Sequence, residues 1–100
     1  MMPTPTPAYV IGHITVKDPD QWAAYRSQVP ATLAPWQAEL VCRGQLHAVL
    51  GGSHRHHDTV VIRFPDRHAA EAWFSSDAYQ ALIPLRQAAA DVDLMVFDAC

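Results

Sequence analysis

Six histidines in a chain of 100 residues are the first feature that bears on chemistry. Imidazole exchanges protons near neutral pH, so a rigidly held histidine can serve as acid or base. His13 stands in mid-run of Ala8–Val16 (AYVIGHITV), a strand-forming stretch that would fix it from both sides, and it is the candidate catalytic residue. The competing role for a lone strand histidine is a hydrogen-bonded structural one. Arg43 and Arg63 fall in two further strand-like runs. A guanidinium there suits a carboxylate, whether of a bound anion or of a neighbouring Asp or Glu. His47, four positions after Arg43, shares its strand face by alternation unless Gly44 carries a bulge. Trp73, Tyr79 and Arg86 lie at helical spacing, where they pack first and could line a pocket second. The candidate ligand-binding residues are therefore Arg43, His47, Arg63, Trp73, Tyr79 and Arg86.

His54, His56 and His57 with Asp58 have the composition of a metal centre, but they crowd one loop that opens with Gly51-Gly52 and contains Arg55. Dedicated metal sites draw ligands from rigid elements and orient them with further hydrogen bonds. The spacing predicts solvated side chains at a hairpin tip that hold metal only adventitiously, so no metal site and no cofactor is assigned. Cys42 and Cys100 form no CxxC and no disulfide framework, and Cys42 reads as a small buried apolar residue.

Composition bounds the rest. The chain has the length of one domain, is half apolar, and carries 17% charged residues, enough to build a core. Its formal net charge of -3 gives no footing on a phosphate backbone, so no nucleic acid partner is expected. Apolar runs are too short for a membrane span, and the start, MMPTPTP, is no secretory signal. A cytoplasmic, bacterial-type protein is expected, with residues 1–7 a flexible Pro-Thr leader and 8–100 a single domain.

The elements that must hold the candidate residues follow from pattern. After the first strand, Asp18-Pro19 with Gln21 opens a helix whose stripe is Trp22, Tyr25, Val29, Leu33 and Trp36, kinked or restarted near Pro30 and ended by Pro35. Glu39–Leu50 is a second strand, Gly51–Asp58 a hairpin loop, and Thr59–Phe64 a third strand. Asp66 caps the next helix, Ser75-Ser76-Asp77 breaks and recaps it, and Asp93–Asp98 is the last strand. Strand, helix, strand, strand, helix, strand is the α+β, ferredoxin-like βαββαβ order: a four-stranded antiparallel sheet with helices on one face. Alternation places Val10, Gly12, Ile14 and Val16 under the helices. It leaves Tyr9, Ile11, His13 and Thr15 on the other face, with Val61, Arg63, Met95, Phe97 and, by expectation, Arg43. Such an uncovered apolar patch predicts a homodimer.

Asp18-Pro19, Trp22-Tyr25, Cys42-Arg43-Gly44, Val60–Pro65 and above all Ala72-Trp73-Phe74-Ser75-Ser76 with Tyr79-Gln80 and Arg86 resemble the family called domain of unknown function 1330. The resemblance spans Ala8 to Phe97. It implies a ferredoxin-like fold that pairs sheet to sheet as a dimeric α+β barrel, in a superfamily that includes cofactorless monooxygenases, lactone isomerases and haem enzymes. The chain departs from the family pattern at Gln37-Ala38, usually Gly-Gly, at Arg63, often Glu, and at Gly51-Gly52, often Glu-Gly. No role resting on those acids carries over. The function expected is binding of a small anionic or aromatic metabolite, with cofactor-independent isomerase or monooxygenase chemistry. The alternative is a non-catalytic structural or stress-associated dimer. A polar pocket beside His13 favours the first; carboxylates filling that space favour the second.

Overall fold

A computed structural model describes residues 6–99. Four strands, β1 (Ala8–Val16), β2 (Glu39–Gln45), β3 (Asp58–Phe64) and β4 (Ala90–Asp98), form one antiparallel sheet in the order β2-β3-β1-β4. Helices α1 (Pro19–Leu33), α2 (Arg67–Ser75), α3 (Asp77–Gln80) and α4 (Ile83–Ala89) interleave with the strands in the predicted βαββαβ sequence. Ala8, Val10, Gly12 and Ile14 are buried and alternate with half-buried residues, so the even positions of β1 face the helices as expected.

Local chemistry sets the helix ends. Asp18 caps α1, its carboxylate accepting from the backbone of Asp20 and Gln21, and those bonds hold it below the usual carboxylate range. The helix continues through Pro30 to Leu33 without a restart. Proline removes one bond, to the carbonyl of Arg26, and both residues lie on the exposed side where water can replace it. Ser76 recaps the chain as predicted, accepting from the Tyr79 N–H. A 3-10 turn, Ala34–Trp36, ends at Gln37, which adopts a left-handed φ of 54°. That conformation is one glycine adopts at least cost, and here a glutamine holds it.

Aromatic residues fill the covered side. Phe64, Trp73 and Tyr79 are fully buried with Tyr25 beside them, and Trp22, Val29, Leu33 and Trp36 close the rim. Polar atoms inside this core are paired: the Trp73 indole donates to Thr32 Oγ1 at 3.0 Å, and the Tyr25 and Tyr79 hydroxyls meet at 2.9 Å.

Three boundaries differ from expectation. β2 ends at Gln45, because beyond it β3 offers no partner strand and only the Leu46 N–H finds the His57 carbonyl. β4 begins earlier, at Ala90, and pairs with β1 along its whole length. The irregularity in β2 lies at Val41, not Gly44: Leu40 opposes Ile62 and Cys42 opposes Val61. That one extra residue turns every later side chain of β2 to the opposite face.

Candidate functional site

The register of the open face brings polar residues together at one end. His13 lies between Thr59 on β3 and Asp93 on β4, and Thr15 lies beside Asp91. Thr59 Oγ1 donates its single proton to the Gly12 carbonyl at 3.0 Å. The 3.1 Å contact between the same hydroxyl and His13 must then be donated by Nδ1–H. Neutral His13 thus keeps its proton on Nδ1, and its Nε2 lone pair has no partner among the described residues.

The segment returning from Gly51-Gly52 to β3 completes the cluster. His54 stands edge-on to His13 with ring centroids 4.8 Å apart, and neither of its nitrogens is hydrogen-bonded among the described residues. His56 is 2% exposed. Its Nε2 donates to Asp93 Oδ2 at 2.8 Å, and the Thr15 hydroxyl donates to Nδ1 of the neutral ring at 3.0 Å. Arg55 forks onto Asp91 at 2.6 Å and Asp93 at 3.0 Å. The hydrogen bond from Arg55 holds Asp91 below the ordinary carboxylate range, and chiefly that from His56 does the same for Asp93. Arg55 is held charged still more firmly by Asp91. These acids pair with Arg55 and His56, while His13 Nε2 and the His54 ring nitrogens have no hydrogen-bond partner among the described residues. They line an open depression of about 900 Å³ with Ser53, Phe74, Arg86, Leu94 and Met95. Residues from both faces of β4 contribute, so the depression wraps around this edge strand.

The expected division between a strand histidine and solvated loop histidines is therefore corrected. His54 and His56 share a site with His13, and His56 is buried; His57 remains exposed. Composition marked a solvated hairpin tip, but the returning segment lays His54 against His13, His56 against Thr15 and Asp93, and Arg55 against Asp91. Among the described residues no group of three or more His, Cys, Asp or Glu is arranged to hold a metal ion.

The other candidates scatter. Arg43, turned by the bulge, opposes Val60 on the helix side and sits near Arg26. Desolvation first, and Arg26 second, lower its pKa. His47 is exposed on the outgoing limb and does not line the depression. Arg63 is on the open face as expected, but its charge meets Glu39 at 3.4 Å, and along β1 it opposes Tyr9, about 13 Å from His13 at ordinary strand rise. Trp73 and Tyr79 are core residues, and Arg86 alone of the six lines the depression, donating to Tyr79 Oη at 2.9 Å. Cys42 is exposed, not buried. Thr59, Thr15, Asp91 and Asp93 were missed, although pairing β1 with its neighbours in alternating register would have found Asp93 and Thr59 beside His13.

Comparison with known proteins places this geometry. No curated protein matches the chain in sequence. Among solved structures, a protein of unknown function from Rhodopseudomonas palustris superposes with a TM-score of 0.80 at 17% identity, over 95% of this chain and 83% of that one. SnoaB, a cofactor-independent oxygenase from Streptomyces nogalater, gives 0.69 at 12% identity over 95% and 94%. A dimeric ferredoxin-like protein of unknown function from Thermobifida fusca gives 0.63 at 13% identity over 99% and 96%. At these identities the likeness establishes the ferredoxin-like fold. The family model described as domain of unknown function (DUF1330) matches residues 7–100, and the chain belongs to that family.

Proposed function

We propose that the protein is a homodimer that binds a small anionic or aromatic metabolite on the open face of its sheet and uses His13 as the proton acceptor. The reaction class is cofactor-independent isomerisation or oxygenation. One observation carries this reading: Thr59 fixes the His13 proton on Nδ1 and leaves Nε2 as an unpaired base at the wall of an open depression. A proton leaves an acidic C–H or O–H of the substrate for Nε2, and its electron pair stays behind as an enolate or phenolate. Returning the proton to another carbon completes an isomerisation; reaction of the anion with O2 is the oxygenation. SnoaB, similar in fold, supports the second outcome by analogy only. The half-buried Ile11 and Val61 and the exposed Met95 and Phe97 support a second copy as the cover of this face. Two cysteines without a disulfide framework fit a reducing compartment, and we place the protein in the cytoplasm.

The non-catalytic reading keeps one observation in its favour, since Asp91 and Asp93 do occupy the space beside the histidines. Those acids, however, are consumed by Arg55 and His56 and do not reach His13 Nε2. The test is solvent-deuterium exchange into enolisable cyclic 1,3-dicarbonyl probes, followed by NMR. Exchange above the buffer rate that is lost in His13→Gln supports the reading. Exchange at the buffer rate with wild-type protein, or undiminished in His13→Gln, overturns it.

A further inference from the structure

We infer that His54 is a second catalytic residue of the open depression: its ring N–H holds the carbonyl oxygen of the substrate while His13 takes the neighbouring proton, which makes the substrate an enolisable ketone. The inference rests on the reading of His13 as the base and supplies what that step lacks. Removing a proton beside a carbonyl builds negative charge on the oxygen, and the step is fast only where a donor already stands to meet that charge.

Hydrogen-bond accounting around His13 finds the donor. Two imidazoles neighbour its ring, His54 at 4.8 Å and His56 at 6.4 Å between centroids. His56 spends both nitrogens, on Thr15 and Asp93. His54 spends neither among the described residues, and it lines the same depression as His13. A neutral imidazole carries one N–H and one lone pair in either tautomer, so His54 offers a donor whichever nitrogen holds the proton. Arg55 is committed to Asp91 and Asp93, and Arg86 gives Nη1 to Tyr79 Oη. The chain on either side places His54. Gly52, at a left-handed φ of 71°, turns the backbone, and Arg55 and His56, the next two residues, are tied to β4 through Asp91 and Asp93. His54 is thus carried to His13 by its neighbours, and its own nitrogens stay available to a ligand. In the step, the C–H bond breaks and the proton passes to His13 Nε2. Its electron pair becomes the new C=C bond, and the carbonyl π pair moves onto oxygen, which the His54 N–H holds without giving up its proton. A phenol loses its proton from the oxygen itself and has no use for two groups so divided, so the pair selects a ketone.

The test compares two probes in the full chain, by solvent-deuterium exchange followed by NMR. One is 2-tetralone, whose single carbonyl needs the donor; the other is a cyclic 1,3-dione, whose second carbonyl already spreads the charge. His54→Phe keeps a ring against His13 and removes both nitrogens. It should slow exchange of 2-tetralone by about 10²-fold and that of the dione by much less. His54→Gln, which restores an N–H donor, should recover part of the 2-tetralone rate, and His13→Gln should abolish exchange of both. If His54→Phe does not fold, His54→Ala takes its place. An unchanged 2-tetralone rate in the His54 variant, with dione exchange still lost in His13→Gln, overturns this inference and leaves the base in place. Equal slowing of both probes also overturns it, since His54 would then only support the His13 ring. A selectivity lost in Arg86→Met but kept in His54→Phe assigns the donor to Arg86 and overturns it too. Wild-type exchange of both probes at the buffer rate removes the base and the donor together.

Discussion

The two faces of this one sheet are built on opposite rules. On the covered face Phe64, Trp73 and Tyr79 are sealed by the helices, and the Trp73 indole ends on Thr32. On the open face the strands present Ile11, Met95 and Phe97 with no layer over them, and at one end they present imidazoles. Packing specifies the first face, where every volume matters. The second is specified by cross-strand pairs: His13 with Thr59 and Asp93, and Thr15 with Asp91. Even there, satisfaction is uneven, since His56 uses both nitrogens while His13 and His54 keep free ones. Reactive capacity in this fold resides where side chains are held in place but not saturated.

The largest effect should come from breaking the covered face. Trp73→Ala removes a buried indole, its bond to Thr32 and its contact with Tyr79, and should lower unfolding free energy by about 3–5 kcal/mol in denaturant titration. A loss below about 1 kcal/mol would mean that this face is not the core. Within the open face, His56→Ala should cost about 1–3 kcal/mol because it orphans Thr15 and one partner of Asp93. His54→Ala should stay within about 0.5 kcal/mol, since its ring nitrogens hold nothing. Equal costs would erase the distinction between the saturated and free histidines.

The smallest effect is on pH. Asp91 and Asp93 have folded pKa values below the ordinary 3.8, so the stabilisation they give is complete above that value and is lost as pH falls through the lowered ones. Both carboxylates are exposed and screened, so the change should be modest and local. Amide exchange in residues 53–57 should rise below the ordinary Asp range, and Asp91→Asn with Asp93→Asn should flatten that rise. A rise that begins instead in the covered core would reverse the order of vulnerability of the two faces.

Most of the covered face was legible because it rests on local rules. Asp18-Pro19, Asp66 and Ser76 announce helix starts, and the stripe from Trp22 to Trp36 gives the buried side. The open face depends on register, which a single strand does not carry. Arg43 illustrates this: its side was reversed by a bulge at Val41, a position with no glycine and no proline to mark it. His56 illustrates the other limit. Histidine, arginine and glycine together read as solvated loop, yet its burial depends on Thr15 and Asp93, 41 and 37 residues away. Pro30 causes no restart of the helix, because the bond it removes lies on the wet side.

The strand order β2-β3-β1-β4 also sets a timetable. β1 emerges first during synthesis, yet one of its partners begins at Asp58 and the other at Ala90. Only β2 and β3 are neighbours in both sequence and space, so the one local pairing available early is a hairpin at the sheet's edge. The strand that carries His13 must wait with both edges open until residues 58–64 arrive and with one edge open until residues 90–98 do, the situation in which a nascent apolar strand is most exposed to wrong partners. Folding of this chain should thus be limited by one late, long-range closure that creates sheet, core and histidine cluster together.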